Sequence, residues 1–195
     1  MMTSVRRFAQ WGLWFGGALV LLAAVLIGID VLMRKFLARS IGGADELAGY
    51  SLAIGTAWGL GATLLDRAHI RIDSLYVLFP QKLRLALDLV ALILLIGFFG
   101  LVAWHGLGVV SQSWSSASRS QSALETPTII PQVLWIAGLA AFVAIGLLLL
   151  FDAVRIMISG DLRRAATLIS TRSAEEEVED EIRDLKGRQT RDGDD

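Results

Sequence analysis

The sequence predicts an all-α integral membrane protein with four transmembrane helices and short amphipathic interfacial segments. Three observations lead to this fold class. First, 54% of the 195 residues are hydrophobic, and the mean hydropathy of +0.59 exceeds that of ordinary soluble domains. Second, the charged residues lie between long apolar runs or in the C-terminal tail. Third, four apolar runs are long enough to cross a hydrocarbon core of about 30 Å.

Composition already excludes several classes of function. The chain has no Cys and two His, so disulfides, thiolate metal sites and Cys nucleophiles are excluded. Its net charge is −1, and no basic surface is present that would suit nucleic acid. We find neither a phosphate-binding Gly-rich loop nor a pair of carboxylates predicted at a common depth. The sequence therefore predicts a protein that is not an enzyme.

The chain divides into three parts. Residues 1–11 are expected to be a cytoplasmic N-terminus, and residues 12–160 form the membrane domain. Residues 161–195 form a charged cytoplasmic tail that we expect to be disordered, because seven acids occur within ten residues of it. The four spans are predicted at about 12–33, 47–65, 83–108 and 131–153.

The first predicted helix ends with a pair of opposite charges. Asp30 and Arg34 lie four residues apart, on one face of the helix near the membrane interface. Two interpretations stay open for them. They form a pair that reaches from the helix end toward water, or they contact a partner protein.

The second predicted helix is rich in glycine. Gly55 and Gly59 have the spacing of close helix packing, a weakly specific signal in an apolar run. Glu46 precedes this helix and either stabilises its N-terminus or contacts another subunit. Trp58 lies in mid-helix, away from the interfaces where Trp is usually found. It faces either lipid or another subunit.

The two amphipathic segments are predicted on the membrane surface. Residues 66–84 alternate apolar and polar side chains, and Pro80 ends this segment before the third helix. Residues 157–169 follow the fourth helix. A Ser-rich loop, residues 111–130, connects the third and fourth helices.

The distribution of basic residues predicts that both termini are cytoplasmic. With this orientation ten basic residues flank the inner ends of the helices and four lie in the outer loops. The inner ones are Arg6, Arg7, Arg67, Arg71, Lys82, Arg84, Arg155, Arg163, Arg164 and Arg172. The outer ones are Arg34, Lys35, Arg39 and Arg119.

The middle of each predicted span is uncharged. Proton relays and ion pathways need ionisable groups at that depth, so we expect that this chain transports nothing alone. Haem ligation by two His is also disfavoured. His69 and His105 are predicted at opposite ends of a core of about 30 Å and cannot share one iron.

An ordered set of motifs resembles the small membrane subunit, the DctQ-like or Q component, of tripartite ATP-independent periplasmic (TRAP) transporters. The set includes Arg34, Glu46-Leu47, Tyr50 and Leu60-Gly61-Ala62, then the run from Arg67 to Asp73, followed by Leu75, Leu78 and Pro80. Directly after the second helix the family has the pattern His-Ile-x-Val-Asp, and in this chain Ile72 takes the place of the Val. Pro127 and Pro131 also resemble the family. The resemblance covers about residues 5–160, without the acidic tail.

The resemblance implies a function and partners. Such a subunit belongs to a Na⁺-coupled secondary transporter for an organic acid, in the bacterial inner membrane. It packs against a large many-span subunit (the M component) as part of its scaffold, and a periplasmic binding protein (the P component) delivers the substrate. The chain itself is expected to bind no cofactor, since Na⁺ would be bound by the large subunit, and to contact membrane lipids. The candidate interface or anchoring residues are Asp30, Arg34, Glu46, Tyr50, Gly55, Trp58, Gly59, Gly61, His69, Arg71 and Asp73.

A second function stays open from the sequence. The chain is alternatively a non-catalytic four-helix membrane anchor subunit of another complex, for example a redox complex. Co-isolation distinguishes the two, because the first function requires a many-span permease as partner and the second requires a redox enzyme.

Overall fold

The computed structural model describes residues 2–66 and 79–159, together with the single residue Ile182. Four long helices account for most of these residues: α1 (Met2–Leu37), α2 (Ala44–Leu65), α3 (Gln81–Ser115) and α4 (Ile129–Ile158). Within the described ranges there is no strand, apart from one isolated bridge between Arg119 and Pro127. The all-α prediction is confirmed.

The helices extend beyond the predicted spans. α1 has 36 residues and α3 has 35, so each is more than 50 Å long at about 1.5 Å per residue. A hydrocarbon core of about 30 Å takes only part of this length. The remaining turns therefore project into the interfacial layers on either side.

Three of the four helices are long and apolar enough to cross a membrane. These are α1, α3 and α4, in the ranges Thr3–Leu37, Leu83–Ser115 and Ile129–Ile158. α2 is not among them, so hydropathy does not confirm the fourth predicted span. The physical reason lies in its composition, because four glycines and several polar or amphipathic side chains dilute its aliphatic residues.

The main helix contacts give the order α1–α2–α4–α3 across the bundle. α1 packs on α2, α2 packs on α4, and α4 packs on α3. A buried apolar cluster joins the helices, with Phe142 at 1% exposure among its members. The Phe142 ring meets Phe99 edge-on, with 4.8 Å between ring centroids. The two central helices are thus covered on both sides, whereas α1 and α3 each expose a long outer face.

The outer faces of α1 and α3 are apolar. Leu21 and Leu22 of α1 and Leu94 and Phe98 of α3 are all more than 60% exposed. In a soluble protein such surfaces would promote aggregation. Here they match the lipid or protein surroundings of a membrane-spanning segment.

Candidate functional site

α1 and α2 approach each other backbone to backbone at Gly16 and Gly55. A Cβ atom added to Gly16 would lie 2.5 Å from the Gly55 carbonyl oxygen, and one added to Gly55 would lie 2.8 Å from the Gly16 oxygen. Backbone atoms cannot rotate away as side chains do. Small residues let membrane helices come this close. Gly55 is therefore a packing residue of the α1–α2 pair within this chain.

The second glycine of the predicted motif has a smaller role. A Cβ added to Gly59 would meet only Leu13 Cδ1, at an ordinary 3.7 Å. The tight partner is instead on α1, where a Cβ on Gly12 would lie 2.9 Å from the Trp58 carbonyl oxygen. Gly12 and Gly16 have the small-xxx-small spacing themselves. This spacing on α1 was not among the sequence predictions.

α2 and α4 also approach each other through glycines. A Cβ added to Gly61 would lie 2.7 Å from Ile145 Cδ1, and one on Gly138 would lie 2.8 Å from Trp58 Cδ1 and 3.0 Å from Ala57 Cβ. Gly61 was selected from the sequence as a candidate residue, whereas Gly138 was not. Two faces of α2 thus carry glycine contacts, one against each neighbour.

The structure places Trp58 between helices of its own chain, a position that neither sequence interpretation anticipated. Its indole Nε1 donates a hydrogen bond of 3.0 Å to the Leu134 carbonyl oxygen of α4. The centroid of its ring lies 5.7 Å from the ring centroid of Phe15 and 6.1 Å from that of Phe8, and both phenylalanines belong to α1. Trp58 therefore links α1, α2 and α4, and its polar N–H has a partner within the membrane domain.

Asp30 is the centre of a hydrogen-bond network at the C-terminal end of α1. Its side chain is only 2% exposed and pairs with Arg34, as the i,i+4 spacing predicts. Its Oδ1 also accepts hydrogen bonds from Ser40 Oγ at 3.0 Å and from the Ile41 backbone N–H at 2.5 Å. Arg34 further approaches Asp45 of α2 at 3.6 Å. The interpretation of a charge pair that simply reaches toward water is wrong for Asp30, because the following loop folds back over it.

Glu46 connects α2 to the loop between α3 and α4. Ser120 Oγ donates a hydrogen bond to Glu46 Oε2. Hydrogen bonds from Ser120 and then Ser122 lower the pKa of Glu46 to about 2, and the hydroxyls of Tyr50 and Thr126 add smaller effects in the same direction. The carboxylate is therefore held ionised by hydroxyl donors from a distant part of the sequence.

Simple capping by Glu46 is not observed. The residue at the N-cap position of α2 is Gly43, with a left-handed φ of 90°, and no side chain caps this end. A Cβ on Gly43 would also lie 2.4 Å from Leu124 Cδ1, and one on Gly42 would lie 2.9 Å from Ala123 Cβ. We call the contact between residues 38–46 and residues 116–128 the loop clasp.

The stability that the loop clasp gives to the fold should depend on pH through the ionisation of Glu46. A carboxyl group whose pKa falls from 4.5 to about 2 on folding stabilises the fold fully above pH 4.5. This contribution is lost progressively as the pH falls from 4.5 toward 2. We expect the melting temperature of the detergent-solubilised protein to drop over this range, and we expect Glu46→Gln to remove most of that dependence.

A matched control lies in the same loop. Glu125 is exposed, and its hydrogen bond with Arg119 is made by the Glu125 backbone oxygen, so the side chain can be changed without losing it. Glu125→Gln should leave the pH profile of the melting temperature as in the unmodified chain. If Glu46→Gln and Glu125→Gln gave the same acid sensitivity, the hydrogen bond to Ser120 would not be what stabilises the clasp.

Three of the sequence-predicted residues lie outside the described part of the chain. They are His69, Arg71 and Asp73. The proposed separation of His69 from His105 is therefore untested. Among the residues that the structure describes, no group of three or more His, Asp or Glu side chains is arranged to hold a metal ion.

The described contacts define an all-helical integral membrane protein whose internal glycines and Trp58 join helices to one another, and whose Asp30 joins α1 to the loop that follows it. The family model described as tripartite ATP-independent periplasmic transporters, DctQ component, matches residues 8–156. The chain belongs to this family, so the resemblance found in the sequence is confirmed and the protein is a component of a transporter. The comparisons with curated proteins and with solved structures gave no match.

Proposed function

We propose that this chain is the small permease subunit of a Na⁺-coupled TRAP-type transporter for an organic acid, and that it acts as a membrane scaffold for the large transport subunit. The family match carries this proposal. The chain would not act as an enzyme. Its partners would be the large M component, which would bind Na⁺, and the periplasmic P component, which would deliver the substrate.

The distribution of burial supports a scaffold role. The tight contacts of α2 and α4 are made within the chain, whereas the outer faces of α1 and α3 stay exposed and apolar. No Asp, Glu, Lys, Arg or His occurs in the apolar runs 47–65, 89–104 or 131–151. Ion pathways across the bilayer usually need such groups. A large subunit that moves substrate would gain a fixed surface to move against.

We further propose that α2 is the fourth membrane span. Its 22 residues are about 33 Å long, enough for the hydrocarbon core. Contacts at both of its ends support this proposal. Asp66 lies 3.7 Å from Arg6 near the start of α1, and Asp45 lies 3.6 Å from Arg34 near its end. Between Arg6 and Arg34, α1 rises about 42 Å, so α2 follows α1 through the same layer.

The orientation proposed is the one with both termini in the cytoplasm of a bacterial cell, with the chain in the inner membrane. The excess of basic residues on that side supports it. Because the chain has no Cys, the labelling of single introduced cysteines can reveal which side of the membrane each position faces. In spheroplasts, an impermeant maleimide should label Arg39→Cys and Ser116→Cys, but label Thr3→Cys and Asp66→Cys only after permeabilisation. Labelling of Asp66→Cys from outside would rule out α2 as a span.

Co-isolation and transport test the function itself. Purification of this chain from its native membrane should retain a many-span permease. Vesicles with all three components should take up an organic acid only with a Na⁺ gradient and only when this chain is present. Purification with a redox enzyme instead, or full uptake without this chain, would overturn the proposal.

Cross-linking locates the docking face. A photoactivatable maleimide at Leu21→Cys on α1 or Phe98→Cys on α3 should capture the large subunit from whichever outer face docks. Ala57→Cys is the matched control, because Ala57 is 2% exposed inside the bundle. Capture from neither outer face would contradict the scaffold role.

A further inference from the structure

An open hollow lies on the outer face of α1, near the N-terminal end of this helix. It encloses about 290 Å³ and is lined by Arg7, Gln10, Trp11 and Trp14. The arginine and the two tryptophans follow one another at i, i+4 and i+7, so the helix places them on one face. This face points away from α2, because Gly16, which approaches α2, lies on the opposite side of the helix.

Arg7 differs from its neighbour Arg6 in its contacts. The Arg6 guanidinium lies 3.7 Å from the Asp66 carboxylate and donates a hydrogen bond of 3.5 Å to the Leu65 carbonyl oxygen. Arg7 is exposed, and it makes no ion pair or side-chain hydrogen bond with any residue that the structure describes. One arginine is therefore directed toward the end of α2, and the other lines the hollow.

The lining of the hollow offers mainly hydrogen-bond donors. A guanidinium has five N–H donors and no acceptor, and an indole has one N–H donor and no acceptor. Trp11 and Trp14 are each 78% exposed, so their indole groups are accessible. Gln10 is the one lining side chain that can also accept a hydrogen bond. A positively charged set of donors matches an anion with several oxygen acceptors, and the planar guanidinium fits phosphate in particular.

The hollow lies at the boundary of the hydrocarbon core. Arg7 and Asp30 flank the uncharged run of α1 and are about 35 Å apart at 1.5 Å per residue, slightly more than the core thickness of about 30 Å. The contact between Arg6 and Asp66 places the end of α2 at the same level. Arg7 therefore lies in the headgroup layer, and the two tryptophans lie in the turns just below it, as is typical of an aromatic belt.

We infer that this hollow binds the headgroup of one anionic phospholipid, from the leaflet at the N-terminal end of α1. The Arg7 guanidinium donates hydrogen bonds to the phosphodiester oxygens, and the indole N–H groups of Trp11 and Trp14 donate to the ester oxygens below the phosphate. Lipid phosphates are the anions that surround a helix at this depth, so the charge of the lining and its depth favour the same occupant. With the N-terminus in the cytoplasm, as proposed above, this leaflet is the one that carries anionic lipid.

Native mass spectrometry of the full chain, purified without other subunits, tests the site. After exchange with mixed vesicles of phosphatidylglycerol and phosphatidylethanolamine, the chain should retain one phosphatidylglycerol about fivefold better than phosphatidylethanolamine. This ratio corresponds to the attraction of one basic side chain to an anionic membrane surface. Arg7→Gln should abolish the preference, because it removes the charge that distinguishes the two headgroups.

Arg6→Gln is the matched control. It removes the same charge one residue away, but from the side of α1 that faces the end of α2, so the preference for phosphatidylglycerol should remain. Equal loss of preference in Arg6→Gln and Arg7→Gln would overturn the site, since it would show a general attraction of basic residues to the membrane surface.

A Trp11→Phe/Trp14→Phe double variant tests the indole donors. It keeps two aromatic rings but loses both N–H groups, so retention of both lipids should fall about fivefold or more while the ratio between them remains. Unchanged retention would overturn the assignment.

Other occupants give different results. Displacement of the lipid by inorganic phosphate alone would assign the hollow to free phosphate and overturn the lipid site. In native membranes, a photoactivatable maleimide at Gln10→Cys should cross-link to phospholipid. Capture of the large subunit from this position would instead show that protein covers the hollow, and it would leave the transport function proposed above intact.

Discussion

Replacing Gly16 by alanine should separate α1 from α2, whereas replacing the adjacent Gly17 by alanine should not. The new methyl carbon at position 16 would lie 2.5 Å from the Gly55 oxygen and 3.0 Å from the Gly55 Cα atom. Both are backbone atoms, so only a shift of one whole helix relieves the overlap. At position 17 nothing lies within 4 Å of the added carbon.

The size of this effect can be bounded. Overpacking of a close contact costs about 1–3 kcal/mol, and for a chain of this length each kcal/mol lowers the melting temperature by about 2–4 °C. Gly16→Ala should therefore melt about 2–12 °C below Gly17→Ala. Both substitutions raise helix propensity by the same amount, up to about 1 kcal/mol. Their difference thus isolates the steric contact.

A second matched pair tests the same contact from α2. Gly55→Ala should behave like Gly16→Ala, because its Cβ would lie 2.8 Å from the Gly16 oxygen. Gly49→Ala should behave like Gly17→Ala, since nothing lies within 4 Å of position 49. The melting temperature in detergent measures all four variants. Equal values within each pair would mean that the helices do not pack through these glycines.

This contact also indicates how far the sequence could predict the site. The spacing of Gly55 and Gly59 indicates that a helix approaches α2 closely, but it does not identify the other helix or which glycine is in contact. Gly12 and Gly16 carry the same spacing. A comparison of both motifs would have suggested that α1 is the partner of α2. Local spacing predicts a packing face, and tertiary structure selects its partner.

Contacts between residues far apart in the sequence could not be predicted from local sequence patterns. The pairing of Asp30 with Arg34 was predictable, because it needs only the pitch of one helix. The Trp58 hydrogen bond to Leu134 joins residues 76 positions apart, and the bond from Ser120 to Glu46 spans 74 positions. An acid in the first turn of a helix resembles a capping residue until the remote hydroxyl is known.

The four-helix layout could be predicted, whereas hydropathy does not identify α2 as a span, and its spanning role is a proposal. Long apolar runs identify α1, α3 and α4 directly. α2 carries glycine at positions where α1, α3 and α4 carry aliphatic residues, so the glycines that let it pack closely also lower its hydropathy. The ordered family motif identified the chain without this information, because it depends on residue identity and order.

Replacing Asp30 by alanine should be among the most damaging changes at the end of α1. The carboxylate receives a hydrogen bond from Ser40, a second from the Ile41 N–H, and the charge of Arg34. Removing it leaves these donors without an acceptor next to a buried position, and unsatisfied buried groups are costly. We expect the melting temperature of Asp30→Ala to fall by about 10 °C.

Asp30→Asn separates the two parts of this network. Its amide oxygen can still accept from Ser40 and from the Ile41 N–H, so only the ion pair with Arg34 is lost and the fall in melting temperature should be smaller. Asp45→Asn is the matched control. It removes a carboxylate that also approaches Arg34, but this side chain is 82% exposed, and exposed ion pairs contribute little. If Asp30→Ala and Asp45→Asn melted alike, the folded-back loop would not depend on Asp30. If the Asp30 carboxylate binds both the loop and Arg34, Asp30→Ala should have the lowest melting temperature, Asp30→Asn an intermediate one and Asp45→Asn the highest.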